Sequence, residues 1–343
     1  MSIVMDITFT LNGIACGKWF RHQLDANRHK TFTRITTRYY FERILRIIPI
    51  YYISLYFVAM NVIYFAPHSL YNRQFISLCQ TQMPIQLTFV ANLISDTKIC
   101  FPESWSLCVL IQFVLLTPVL MYLTYRNFKT GIMAIIMTGL VCMVTTLYID
   151  YTTDYRIKTR YITAQIKPFT HGVPYLAGLL YGYLTVDEQL NKHIRAYRFG
   201  GLMPGALQSP ALIAVHMVYT GVYAVIICLS VIIYTDSHNT SLCNRFLSSR
   251  WWRPIRSIQL TSYLLHDYFA QHLFNALTAG LCRTVPAPVL LLSAVAANCL
   301  VMAVVSAVFE LPFGRLQRSL STYVFGDRRT GLSADRRPTH KYD

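Results

Sequence analysis

The feature that most constrains this chain is an apolar run from Ile47 to Phe65 that contains no charge at all. It is entered through a basic, aromatic collar, Arg38-Tyr39-Tyr40-Phe41-Glu42-Arg43-Ile44-Leu45-Arg46. A helix rises ~1.5 Å per residue, so about 20 residues of this kind cross a hydrocarbon layer of roughly 30 Å. Arginine ahead of an uncharged span is how a chain enters a bilayer from the cytoplasm. Pro49 is expected in the first turn of the span, where its missing N–H and fixed φ cost least. The chain therefore reads as an integral membrane protein. The collar arginines either fix its orientation alone or also grip a substrate.

Composition supports lipid as the solvent. Of 343 residues, 54% are hydrophobic, and charged residues make up only 13%, with a mean hydropathy of +0.38. A soluble domain carries about 25% charged residues. The balance is strongly basic, 31 Lys and Arg against 15 Asp and Glu, a net charge of +16. Those basic residues flank apolar runs instead of forming one soluble face, which argues against nucleic acid as a partner and for anionic membrane lipid. Most of the nine cysteines fall in or beside apolar runs, where a thiol packs as a small hydrophobe. Cys79 and Cys100 instead share one long polar loop, and on an oxidising side of the membrane they are the natural disulfide pair. No Cys or His spacing suggests a metal site. No cleavable leader is evident, and the chain opens almost inside an apolar segment, which reads as an incomplete start.

Taken in order, Ile3 to Phe20 is a marginal span interrupted by Asp6, Asn12 and Lys18. Residues 21–46 read as a basic cytoplasmic loop and residues 66–104 as an outer loop. Crossings follow at Trp105–Tyr125, Gly131–Tyr148, Val173–Val186, Ala211–Tyr234, Ile255–Leu281 and Pro288–Phe309. The Val173 span carries Gly178 and Gly182 four apart, a spacing that lets helices approach closely. Ile255–Leu281 holds Arg256, His266, Asp267 and His272, so it should face protein or a polar cavity. The expected fold is all-α: a polytopic transmembrane bundle of eight clear spans with room for a ninth, over residues 1–314. Residues 315–343 read as a basic, disordered tail. Strict alternation leaves the arginine-rich 245–253 loop outside, against the positive-inside rule. A further crossing between Leu184 and Tyr234 would resolve that conflict. Glycosylation of Asn239, in an Asn-Thr-Ser sequon, would instead place its loop in the lumen.

Three clusters carry candidate chemistry. Arg43 and Arg46 are three apart, so a helix puts both on one side at the cytoplasmic boundary, where two guanidiniums suit phosphate or pyrophosphate groups. The alternative is that they are purely topogenic. Trp105 opens a span as an interfacial anchor would, and Gln112, inside that span, must find a hydrogen-bonding partner. Tyr263 and His266 lie in the third cluster, and His266 is the one titratable candidate named for catalysis, which otherwise stays unassigned. His266 and Asp267 are adjacent, so they do not form a dyad by themselves. No repeated charged span or filter-like glycine motif points to a channel.

The order of these motifs resembles the acyltransferase 3 family of integral membrane proteins, and within it the branch called nose resistant to fluoxetine. The matching stretches are Asp6 to Gly13; Arg43-Ile-Leu-Arg46-Ile-Ile-Pro49; Cys100 followed by Ser104-Trp105-Ser-Leu and Gln112; Lys167-Pro168 through Pro174 to Leu184; Phe246-Leu-Ser; Thr261 to His266; and Glu310-Leu-Pro312-Phe313. The resemblance implies a bundle of about ten helices that moves an acyl group from acyl-CoA to a hydroxyl of a lipid, sugar or small molecule. It makes Arg43 and Arg46 the donor-binding arginines, with Asn12, Trp105, Gln112, Tyr263 and His266 lining an intramembrane cavity. Three departures stand out. The family's first span, with its proposed catalytic histidine, falls before residue 3; Leu110 stands where the family has an acid; and Asn12-Gly13 replaces its Ser-Gly. They keep a second function open, a non-catalytic binder or transporter of lipid or another small hydrophobe.

Overall fold

The computed structural model of the protein describes residues 2–26, 31–60, 73–94, 100–152, 166–186, 249, 259–280 and 287–325. Among them every regular element is helical. In chain order these are α1 (Ser2–Ala26), α2 (Phe32–Met60), α3 (Arg73–Leu87), α4 (Ala91–Ile94), α5 (Trp105–Arg126), α6 (Phe128–Thr152), α7 (Gly172–Leu184), α8 (Gln259–Gly280), α9 (Ala287–Val305) and α10 (Leu311–Phe325). Short 3₁₀ turns at Pro102–Ser104 and Pro168–His171 lead into α5 and α7, and a π-helical turn, Ser306–Glu310, joins α9 to α10. Among the described residues, four stretches are long and apolar enough to cross a membrane: Phe32–Met60, Pro102–Arg126, Phe128–Ile149 and Val295–Phe325.

The surface shows what solvent the fold expects. Along α6, Met133, Ile136, Met137, Leu140, Val141, Val144 and Tyr148 are all exposed, and Leu292, Val295, Leu300 and Val304 do the same on α9. Faces of this size are uncommon on a soluble monomer but ordinary against lipid tails. The protein is an all-α membrane helix bundle.

Its tightest joint is between α1 and α7. Gly13 and Gly17 on one helix meet Gly178 and Gly182 on the other, backbone against backbone. A Cβ at Gly13 would strike the carbonyl oxygen of Tyr175, and one at Gly17 that of Leu179. From the other side, Gly178 would strike Thr10 and Gly182 would strike Ile14. Side-chain bonds flank this seam: Thr10 Oγ1 donates to the Pro174 carbonyl (3.3 Å), and Arg21 donates to the Tyr183 hydroxyl (3.3 Å) with its guanidinium over the Tyr183 ring.

Helix α5 divides two apolar cores. Its Val109, Phe113, Val114, Leu120 and Met121 pack with α1, α7 and the first turns of α2. Its Leu107, Cys108 and Ile111 pack with the later turns of α2 and with α8. Leu110 and Tyr263 touch both cores and so mark the seam between them.

The structure departs from the sequence reading in three places. The basic stretch before Ile47 is not a loop: α2 begins at Phe32 and runs through the collar, so Pro49 lies in the helix interior and not in a first turn. The long polar connection before Trp105 contains α3 and α4 instead of being all loop, although the expected disulfide does join Cys79 of α3 to Cys100, 21 residues apart. Residues 315–325, read as disordered tail, are helical. They form α10, which packs along α2 through Gln317 (Nε2 to the Glu42 carbonyl, 2.8 Å), Ser321 (Oγ to Glu42 Oε1, 2.9 Å) and Phe325 against Phe41. Its alternation of apolar and polar residues has the helical period, which composition alone conceals. The Ala211–Tyr234 span, the 245–253 loop, Asn239 and residues 326–343 lie outside the described residues.

Two consequences can be measured. Gly178→Leu forces apart two backbones in contact and should cost about 2–3 kcal/mol or more, read as a lower unfolding temperature and loss of monodispersity in detergent. Gly314→Ala, with nothing within 4 Å, should leave both unchanged or slightly improved. Cys79 and Cys100 should resist alkylation until reduced, and replacing both by serine should cost about 3 kcal/mol for a loop of this length.

Candidate functional site

The collar arginines separate once the helix forms. Residues three apart on a helix are offset around its axis, and α2 uses that offset: Arg46 is exposed, whereas Arg43 is half-buried and turned towards the bundle. The Arg43 guanidinium lies over the Tyr39 ring, 5.8 Å from its centroid, in electrostatic range of Cys16, Tyr39, Tyr175 and Glu42. Around it the buried polar groups of four helices pair off. Cys16 Sγ of α1 lies 3.3 Å from the Tyr39 hydroxyl of α2, and Thr117 of α5 lies 2.6 Å from the Tyr175 hydroxyl of α7. Pairing is what lets such groups stay buried at all. Glu42 is held by Arg38 (2.8 Å) and Ser321, so the nearest carboxylate already has its own arginine.

From this cluster a file of aromatic rings runs towards the Trp105 end of the bundle. Tyr175 stacks on Phe113 (4.5 Å between centroids), Phe113 meets Phe9 edge-on (5.8 Å), Phe9 lies on His171 (5.0 Å), and His171 stacks on Trp105 (5.3 Å). Thr117 and Trp105 belong to one helix, and their separation corresponds to about 18 Å of rise.

At the far end the file meets an ion-pairing couple. His171 Nδ1 is 2.7 Å from Asp6 Oδ1, with the histidine side chain 0% and the aspartate 15% exposed. Local sequence places both. Pro168 starts a 3₁₀ turn that closes on His171, and Gly172 follows because a side chain there would press on Cys142 Sγ, 2.6 Å from its Cβ. Asp6 sits two turns before Gly13 on α1, so the glycine seam that locks α1 to α7 also sets the depth of the carboxylate.

The other residues singled out from sequence are distributed differently. Trp105 joins the aromatic file. Asn12 bonds back to the Thr8 carbonyl of its own helix (2.9 Å). Gln112 donates to the Phe89 carbonyl (3.0 Å) and to Asn92 Oδ1 (2.9 Å), and Asn92 donates in turn to the Ile166 carbonyl (3.1 Å), so this pair ties α5 to two connecting segments. Phe89 itself has a φ of 58°, a conformation costly for a bulky residue, and its ring is held by Tyr51 at 4.4 Å. Tyr263 and His266 lie on α8, on the other side of α5. There the His266 Nδ1–H donates to the Tyr263 carbonyl (2.7 Å), within electrostatic range of Glu103, one of whose oxygens is buried without a hydrogen-bond partner among the described residues. Glu310 serves the fold. The π turn aims it at the first turn of α8, where it accepts from Thr261 N (3.2 Å), Thr261 Oγ1 (2.7 Å) and Ser306 Oγ (2.9 Å). Among the described residues no His, Cys, Asp and Glu side chains gather as a metal site would require.

Sequence reasoning missed His171 altogether and took Asp6 only as part of a motif. An acid in an apolar helix and a histidine between proline and glycine are the available signals. Their meeting across 165 positions is visible only once α1 and α7 are packed.

A helix bundle with lipid-facing apolar surfaces and buried polar clusters, running from an arginine to a histidine–carboxylate pair, defines an intramembrane protein with the means for chemistry inside the bundle. The acyltransferase 3 family model, described as an acyltransferase domain, matches residues 2–307, and the chain belongs to that family. Its function is accordingly of the membrane acyltransferase type. No curated protein and no solved structure matches the chain.

The amide pair gives a prediction about packing. Gln112→Leu removes the donor to Asn92 Oδ1 and to the Phe89 carbonyl and should lower stability by about 1–3 kcal/mol. As a packing contact its loss should appear as a lower unfolding temperature in detergent, whereas Gln112→Glu, which keeps the shape but loses the amide donor, should fall at least as far.

Proposed function

We propose that this protein is a multi-pass membrane enzyme that transfers an acyl group from acyl-CoA to a hydroxyl of a lipid, sugar or small molecule, and that it belongs to the nose-resistant-to-fluoxetine-like branch of its family. The observation that carries the reading is Arg43, a guanidinium drawn inward among Cys16, Tyr39 and Tyr175, with Arg46 at the surface less than one turn on. Arginine presents a rigid fork of donors matched to phosphate oxygens. One surface and one half-buried guanidinium suit a donor whose charged end stays at the cytosolic boundary while its acyl end enters the helices. The Cys79–Cys100 bond supports placing the opposite end of the bundle on an oxidising side, lumenal or extracellular. Membrane lipid is then both the solvent of α6 and α9 and a source of acceptors.

Leu110 favours the second reading. It stands where the family has an acid, on the seam between the two cores, and a transporter or binder of small hydrophobes needs no acid there. Transport of acyl chains without thioester cleavage by the purified protein would select that reading.

The donor site is tested by calorimetry. Arg43→Gln combined with Arg46→Gln should weaken acyl-CoA binding about 10- to 100-fold, since a hydrogen bond to a charged group contributes about 1.5–3 kcal/mol. Expression and membrane insertion should be unchanged. Undiminished affinity would reduce the collar to a topological anchor.

A further inference from the structure

We infer that α10, docked on the collar of α2, is a face for anionic phospholipid of the cytosolic leaflet, gripped by Arg315 and Arg318 and anchored by Leu316, Tyr323 and Val324. The net charge of +16 favours anionic lipid in general, and the structure gives that lipid one particular surface. The inference does not depend on the acyltransferase reading.

The depth of α10 follows from its bonds to α2. Gln317 and Ser321 both bond Glu42, and Phe325 packs on Phe41. Glu42 lies five residues before Ile47, where the uncharged run of α2 starts, so the second half of α10 is level with the collar and not with the hydrocarbon. Arg315 and Arg318 flank Gln317 within about 3 Å of helix rise and share that level. Length agrees, because α9, the π turn and α10 follow one another from Ala287 to Phe325. That is about 55–60 Å of helix, against roughly 40–45 Å for a bilayer with its headgroups. On this outer part of the helix Tyr323 is 87% exposed, Leu316 50% and Val324 53%. Lipid tails account for such exposure along α6, but beside the collar another cover is needed.

Spacing gives α10 three faces. Gln317, Ser321 and Phe325, four apart, turn to α2. Arg315, Arg318 and Thr322 share a second face and are exposed, and Leu316, Leu320 and Tyr323 share a third. A helix with arginine on one exposed face and an aliphatic and aromatic stripe on another is built for a headgroup boundary. Tyrosine suits that depth, with an apolar ring and a polar tip, and a long arginine side chain reaches from there to phosphate. Charge is complementary too. α2 and α10 carry six arginines between them and one acid, Glu42, which Arg38 already holds at 2.8 Å. The chain's own next segment is the wrong cover, since residues 326–343 carry five Arg and Lys against three Asp and would be repelled.

Full-length protein in detergent tests this through its affinity for dioctanoyl phosphatidylserine and, as the neutral control, dioctanoyl phosphatidylcholine, each measured by thermophoresis beside the melting curve. Wild type should bind the serine lipid more tightly. Arg315→Gln combined with Arg318→Gln should weaken the serine lipid about 10- to 30-fold, at a factor of about five for each basic side chain near an anionic surface. The choline lipid and the melting temperature should not change. Arg126→Gln with Lys129→Gln removes the same charge from the exposed α5–α6 turn and should alter neither affinity. Tyr323→Ser should weaken both lipids alike, about 5-fold, as expected for a partly buried ring. Equal affinity of wild type for the two lipids overturns the inference. An equal loss in the α5–α6 variant also overturns it, since net charge alone would then be responsible. If the α10 arginine variant melts lower, the exposed Tyr323→Ser decides: unchanged lipid binding there overturns the inference and leaves this face to a protein partner.

Discussion

The contact on which the rest of this bundle depends is the direct meeting of the α1 and α7 backbones. In lipid there is no hydrophobic drive to bring two helices together, since the tails are as apolar as the side chains. Association comes from close packing and from polar groups that cannot be left alone. Four glycines supply the first: Gly13 and Gly17 against Gly178 and Gly182 leave no room for even a methyl group. The polar partners follow from it. With the helices this close and their rotation fixed, Thr10 reaches the Pro174 carbonyl, Arg21 reaches Tyr183, and Asp6 reaches His171. A wider seam would leave each of these groups buried without its partner, so the glycines govern the electrostatics as well as the spacing.

The same seam explains why α1 and α7 tolerate poor membrane credentials. α7 has only 13 residues, about 20 Å of helix, and α1 carries Asp6, Lys18 and Arg21. Neither is among the stretches apolar and long enough to cross unaided. Packed together they need less from lipid, because Asp6 is nearly enclosed by protein and paired with His171. The helices that face lipid most openly, α6 and α9, are the uniformly apolar ones. There is thus a division of labour between helices that satisfy the bilayer and helices that hold polar groups away from it, as expected wherever ionisable residues occur at membrane depth.

How far the sequence disclosed this follows from the range of each signal. Uncharged runs are local, and α5, α6 and most of α9 fall where hydropathy places them. The Cys79–Cys100 pairing needed only that two cysteines share a segment. Gly178 and Gly182 were legible as a close-packing face, but their partners, Gly13 and Gly17, were not. A glycine pair announces a contact without naming what it touches. The collar misled because a high arginine density reads as loop, although arginine is a good helix former and α2 simply extends through it. Arg43 and Arg46 looked equivalent by spacing. Only the packed helix shows that one faces Tyr39 and the other faces out. Gln112 was expected to need a partner and has two, Phe89 in the turn before α4 and Asn92 within α4, a short element that sequence did not place.

The two clusters that matter most for chemistry are also the two that no linear motif describes. Cys16, Tyr39, Thr117 and Tyr175 around Arg43, and Asp6, Trp105 and His171 at the other end, each draw on at least three separate elements. A single aromatic file connects them. Its packing fixes the register of α1, α5 and α7 relative to one another, since moving any ring by one turn would break a contact on each side. That rigidity keeps the half-buried guanidinium of Arg43 and the Asp6–His171 pair at a fixed separation along the bundle, set by ring packing alone.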